Sequence, residues 1–291
     1  MNNYASTWSE ISDSWRLLLP PWKPSAENIG QFKSLLDQAI QKNKNPKVLI
    51  LGATPEIRDL LAEYPNCKVT IVDFNIEMIL AMNNLVKTRN FSNEVWIKSD
   101  WLAVPVEHKY FDFIIGDYVT SQLIEPDLNR FYEKIKHLLK DTGRFVTRII
   151  YYDPAFSPAL GDLLEKYEGE KLDRRAVTNL VSEMCVSFIE KRKNNYVFSL
   201  PKLESELEKY RSKHSLLATK IDRIFSPYTK EWFFLDLPRN EQILRKHFAI
   251  ENILDEPKNS ILFRNTKIYQ LKRSHVAYGY AGQEGTKCLM N

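Results

Sequence analysis

The chain has 291 residues, 44% of them hydrophobic and 12% aromatic, a composition that buries a sizeable core and excludes a disordered protein. Its formal charge of +4 is mild, with 18 basic and 18 acidic residues up to position 150 and 23 and 19 after it, so the basic stripe of a nucleic-acid enzyme is missing. No apolar run approaches the roughly 20 residues of a membrane span, residues 1–8 have neither the basic start nor the apolar core of a signal peptide, and Cys67, Cys185 and Cys288 show no zinc or Cys-x-x-Cys spacing. A cytoplasmic protein without metal, membrane or nucleic-acid partner is expected.

In chain order, residues 1–45 read as an N-terminal helical arm: two helical segments flank the stiff joint Leu19-Pro20-Pro21-Trp22-Lys23-Pro24. The first puts Trp8, Ile11 and Trp15 on one face; Ser25 can cap the second, which carries Ile29, Phe32, Leu35, Leu36 and Ala39. The tryptophans either anchor the arm or wall a pocket.

Residues 46–152 read as a nucleoside-binding core. The continuous apolar run of residues 48–51 is a strand covered on both faces, and it stops at Gly52, which can turn where other residues cannot. Thr54 then reads as a helix N-cap, Pro55 as the first helical residue, and Ile57, Leu60 and Leu61 as the buried stripe. A second buried strand, 69–72, ends at Asp73, about 20 residues past Gly52, where an acid can hydrogen-bond ribose hydroxyls. Asn75 caps the next helix, Ser99-Asp100-Trp101 follow a third strand, Phe111 to Asp117 form a fourth, and a helix and glycine turn lead to a fifth at 143–148.

Residues 153–237 form an insertion, mainly helical, with one helix carrying Val177, Leu180, Val181, Met184 and Phe188 and a charged amphipathic helix from about 202 to 224. Strands six and seven return in 238–276, around 248–253 and 260–271, and a poorly ordered tail, 277–291, is expected. The five histidines, 108, 137, 214, 247 and 275, have no ligand spacing.

The loop Leu51-Gly52-Ala53-Thr54-Pro55-Glu56, Asp73 after the second strand, Ser99-Asp100-Trp101 after the third and Phe111-Asp112-Phe113-Ile114-Ile115-Gly116-Asp117 as the fourth resemble the class I S-adenosylmethionine (SAM) dependent methyltransferases over about 100 residues. The usual three spaced glycines are absent, and the loop is similar to a Leu-Gly-x-Thr-Pro-Glu variant within that family. The resemblance implies an α/β fold: a Rossmann-like, seven-stranded, mostly parallel sheet with helices on both faces and the last strand antiparallel. It implies SAM as cofactor, held by Gly52, Ala53, Thr54, Asp73, Phe74, Ser99, Asp100, Trp101 and Asp117. Asp100 then meets the adenine amino group and Trp101 flanks the ring. Helix-start N–H groups can take the cofactor carboxylate, although Glu56 puts a competing charge in the same turn.

Asp117 and Tyr118 sit where that family places residues near the methyl group, Asp117 as proton acceptor or as a holder of the cofactor's amino end. The acceptor is then a small molecule, monomer or homodimer the assembly, with Tyr4, Trp8, Trp15, Tyr151 and Tyr152 as substrate contacts. Two other readings stay open: a SAM-consuming enzyme with intramolecular chemistry that releases methylthioadenosine, and a catalytically silent SAM-fold subunit that binds a macromolecule.

Overall fold

A computed structural model describes residues 15–16, 18–41, 43–88, 91–153, 159–168, 170–171, 173–225, 231–256 and 265–274. Tyr4, Trp8, Ile11, the segment 260–263 and the tail 277–291 lie outside the described residues.

Helix α1 (Ala26–Ile40) starts on a capping box in which Ser25 Oγ accepts the Asn28 N–H at 3.1 Å and Asn28 Oδ1 accepts the Ser25 N–H at 3.0 Å. It feeds β1 (Lys47–Leu51), α2 (Pro55–Ala62), β2 (Lys68–Asp73), α3 (Ile76–Asn83), β3 (Glu94–Lys98), β4 (Phe111–Asp117), α4 (Glu125–Leu138) and β5 (Leu139–Ile150). The strand β5 begins at Leu139, ahead of the glycine where the sequence reading starts it, because α4 runs into it without a loop. After the insertion come α9 (Leu237–His247), β9 (Phe248–Asp255) and β10 (Thr266–Arg273).

The seven strands are ordered β3-β2-β1-β4-β5-β10-β9, with only β10 antiparallel to its neighbours. Alternate residues of each central strand point to opposite faces. One face sends Val48, Ile50, Phe113 and Ile115 against α1, α2 and α3; the other sends Leu49, Leu51, Ile114 and Phe145 against α4 and α9. Both faces are therefore dry, which explains the unbroken apolar runs.

The insertion is not all helical. It holds α5 (Leu160–Glu168), α6 (Arg174–Ser187), α7 (Leu200–Glu208) and α8 (Ser215–Phe225), and also a three-stranded antiparallel sheet of β6 (Ile189–Arg192), β7 (Asn195–Ser199) and β8 (Glu231–Phe234). The single helix expected at 202–224 is two helices, since the backbone turns through residues 209–214. Leu163, Leu164, Leu180, Met184 and Leu203 join the same apolar cluster as α1 and α2, so the insertion packs on the core.

The arm is gripped from outside by three arginines. Arg174 donates to the Leu18 carbonyl at 2.9 Å, Arg175 to Pro20 at 3.3 Å and Arg148 to Pro21 at 3.1 Å. Arg174 and Arg175 thus join the first turn of α6 to the arm.

Candidate active site

The order of the sheet reverses at β1, whose neighbours are β2 on one side and β4 on the other, and the crevice at the carboxyl ends of β1 and β4 is where open α/β sheets take ligands. Gly52 ends β1 with φ of +85°, a conformation a side chain strains, and its bare α-carbon faces Trp101, whose ring would be 3.9 Å from an added Cβ. Across the crevice Gly116 lets the chain double back: a Cβ there would meet Val119 Cγ1 at 2.8 Å and Leu51 Cβ at 3.3 Å. Gly52→Ala should cost about 1 to 2 kcal/mol in a chemical melt for the left-handed backbone alone; a neutral result would mean that the loop relaxes.

The loop after β1 leads into α2 with Thr54 at the N-cap and Pro55 in the first turn, yet the Thr54 hydroxyl makes no capping hydrogen bond. Thr54 thus leaves the first N–H groups of α2 uncapped, apart from the Glu56 N–H that acts on its own carboxylate, and they carry the positive end of the helix dipole. Ala53 and Thr54 are buried below them.

Asp73 ends β2 almost fully buried, and its Oδ1 accepts the Asn75 N–H at 2.9 Å. Phe74 beside it is 41% exposed, a flat ring at the mouth of the crevice. Ser99 Oγ donates to the carbonyls of Asp100 and Ala103, and Asp100 caps the 3-10 turn Trp101–Ala103 by accepting the Leu102 N–H at 2.9 Å. Asp100 stays exposed. Trp101 donates its indole N–H to the Val72 carbonyl at 2.9 Å and packs on Phe131, so its ring is held in place. Capping and packing, the plain alternatives for Asp100 and Trp101, hold alongside any ligand role.

Asp117 and Tyr118 look different in structure than in sequence. Arg148, wholly buried near the carboxyl end of β5, donates Nε to Asp117 Oδ1 at 2.6 Å and Nη2 to Oδ2 at 3.0 Å, and it also reaches Asn28 Oδ1 at 3.1 Å and Glu256 Oε1 at 3.3 Å. Both Asp117 oxygens accept from Arg148, a charge-assisted pair that fixes the carboxylate's orientation. Burial pushes the Asp117 carboxyl up while Arg148 pulls it back. Burial opposes the charge of Arg148 too, but Asp117, Tyr118 and Glu256 outweigh it and hold the guanidinium proton. Tyr118 adopts the left-handed region with φ of +53°, lays its ring 4.1 Å from the guanidinium carbon, and sets its hydroxyl 3.4 Å from Thr266 Oγ1. Burial drives its phenol far above the usual range, so it stays protonated.

Of the substrate candidates, Trp15 donates its indole N–H to Glu56 Oε1 at 3.4 Å, and Tyr152 stacks on Tyr196 with centroids 4.2 Å apart. Tyr151 points the other way, among Lys267, Asp255 and Glu241, because successive strand residues face opposite sides. Sequence reasoning missed Arg148, Glu256 and the aromatic face of the insertion sheet. The signal for Arg148 was present: an arginine inside the apolar run of residues 145–150 demands a buried acid. Among the described residues no three His, Cys, Asp or Glu side chains are grouped to hold a metal ion.

Residues 42–198 match the family model described as a methyltransferase domain, on a seven-stranded sheet whose single antiparallel strand is the last, as the resemblance implied. The chain belongs to the class I SAM-dependent methyltransferases. Among solved structures, a Rhodobacter sphaeroides protein described as a Zn-dependent alcohol dehydrogenase is similar, with TM-score 0.60, 16% identity and coverage of 94% of this chain and 100% of that one. A Pyrococcus horikoshii OT3 protein gives TM-score 0.53 at 15% identity over 89% and 98%. The Burkholderia thailandensis 1,6-didemethyltoxoflavin-N1-methyltransferase, solved with 1,6-didemethyltoxoflavin and S-adenosylhomocysteine, gives TM-score 0.53 at 12% identity over 93% and 89%. These likenesses are of fold. No curated protein matches the chain.

Proposed function

We propose that this methyltransferase moves the methyl group of SAM to a nucleophile on a small-molecule acceptor enclosed by the N-terminal arm and the insertion. The observation that carries the small-molecule reading is the aromatic face of the insertion sheet. Tyr196 and Phe198 of β7 lie on one side of their strand, opposite Phe234 and Trp232 of β8. Trp232 stacks on Phe198, and Trp22 of the arm meets Trp232 edge-on with centroids 6.4 Å apart. The strand β8 packs against the turn Val119–Gln122 that follows β4, which supports the aromatic face as a roof over the crevice near Tyr118. An enclosed aromatic wall suits a small ligand and leaves a macromolecule little room.

The fit to SAM rests on the donor set of the crevice. Asp73 would bind the ribose hydroxyls, Phe74 and Trp101 would flank adenine with Ser99 and Asp100 at its edge, and the uncapped start of α2, with Gly52, Ala53 and Thr54, would receive the carboxylate. When bound, SAM supplies a methyl group already activated on its sulfonium. The work left to the protein is alignment and exclusion of water, and the commitment of Asp117 to Arg148 supports a mechanism without a dedicated base there. Among the described residues no helix is long and apolar enough to cross a membrane, and we take the protein as a cytoplasmic monomer or homodimer.

Calorimetry with S-adenosylhomocysteine tests the cofactor; absence of binding at millimolar concentration would end this reading. Asp73→Ala should weaken that binding by about 1 to 3 kcal/mol, the loss of charged acceptors for two hydroxyls. Unchanged affinity would remove Asp73 from the site.

A further inference from the structure

We propose that Glu56, in the first turn of α2, is the residue that receives the ammonium group of the cofactor's methionyl end, and that Trp15 and Lys23 of the arm hold its other oxygen in place. The inference rests on the SAM reading above and names a residue for it.

Three carboxylates gather where the arm meets Arg148: Glu56, Asp117 and Glu256. Asp117 is spent on Arg148 through both oxygens. Glu56 Oε1 takes the Trp15 indole N–H at 3.4 Å and stands 3.5 Å from Lys23 Nζ. Glu56 Oε2 is buried and meets no hydrogen-bond partner among the described residues, and the same is true of Oε2 of Glu256, whose side chain is fully buried. Burial pushes the Glu56 carboxyl up, with its own N–H, Lys23 and Trp15 pulling down and Asp117 adding to the rise. An acceptor oxygen kept from water without a donor is costly.

Charge counting agrees. Among the described residues these three acids face two cations, Lys23 and Arg148, one fewer than the carboxyl groups. A bound group that completes the set must carry a positive charge and N–H donors. The sulfonium of SAM has the charge and no hydrogen to give; the α-ammonium has both. Position agrees as well, because Glu56 follows the Gly52 loop by four residues and stands beside the uncapped N–H groups that suit a carboxylate. One amino-acid end would thus be read by adjoining groups of one helix turn.

The test is calorimetry of wild type and Glu56→Gln with two probes: S-adenosylhomocysteine, which keeps the ammonium and lacks the sulfonium, and its analogue with hydrogen in place of the α-amino group. Wild type should favour the first probe. Glu56→Gln should lose about tenfold to a hundredfold in affinity for it, the usual size of a charge-assisted contact, and bind the second probe as wild type does. Its melting temperature should not fall, because a neutral amide replaces a buried charge and still accepts from Trp15. Equal loss for both probes, or none for either, would overturn the assignment while leaving the cofactor reading intact. Failure of the wild type to bind S-adenosylhomocysteine would sink both.

Discussion

Arg148→Met should cost about 3 to 5 kcal/mol, the penalty for stranding buried charges whose partner is removed. The Arg148 guanidinium is wholly buried and joins five places: Asp117 at the end of β4, Asn28 in α1, Glu256 after β9, the Pro21 carbonyl in the arm and the face of Tyr118. Methionine keeps much of the volume and deletes every donor, so Asp117 and Glu256 would remain as buried carboxylates with no cation. For a chain of this size the melting temperature should drop by about 6 to 20 °C.

The loss should depend on pH in a definite sense. In the variant both carboxyls have folded pKa values above their unfolded ones, so their neutral forms stabilise the fold at low pH and that stability disappears as pH rises through the raised values. The gap between variant and wild type should therefore be smaller near about pH 5 than near about pH 8. Melts of both proteins at the two pH values decide it. An equal gap would mean that the damage is packing and not stranded charge.

Deletion of residues 1–22 should have the second largest effect. It removes Trp15 from Glu56, the Pro21 carbonyl from Arg148, the Leu18 and Pro20 carbonyls from α6, and Trp22 from Trp232. Half-buried tryptophans contribute on the order of 1 to 2 kcal/mol each, so the melting temperature should fall. If the arm also closes over the cofactor, affinity for S-adenosylhomocysteine should drop by about tenfold or more in the folded remainder, because Glu56 loses its support and water enters. Limited proteolysis of the full chain gives the independent readout: cleavage in the arm should slow when S-adenosylhomocysteine is added. Cleavage indifferent to ligand, with affinity unchanged by the deletion, would reduce the arm to an anchor.

Much of the fold could be read from the sequence because burial writes it there. The runs at residues 48–51 and 69–72 are apolar without a break since both faces of their strands are covered, and Gly52, Asp73, Asp100 and Trp101 stand at the strand ends where the crevice opens. The insertion sheet was hidden for the opposite reason. Its β6, Ile-Glu-Lys-Arg, shows no apolar alternation, and the turn into β7 uses Lys193 at φ of +54° where a hairpin signal would need glycine or asparagine. The break between α7 and α8 has neither glycine nor proline to announce it.

The site divided along another line. Residues whose role is local, such as Asp73 after its strand or Asp100 capping its own turn, were visible from spacing. Arg148 and Glu256 are 108 positions apart, and Asn28 and Arg148 are 120 apart; their meeting is a property of the folded chain, and only the oddity of a buried arginine hinted at it.

The grip on the arm through main-chain carbonyls bears on how such an enzyme changes over generations. Arg174, Arg175 and Arg148 hold the oxygens of Leu18, Pro20 and Pro21, atoms that every amino acid supplies. These three contacts therefore do not depend on which side chains the joint carries. Attachment here is decoupled from side-chain identity, so a lineage can vary Leu18, Pro20 or Pro21 and keep the arm joined to α6 and β5.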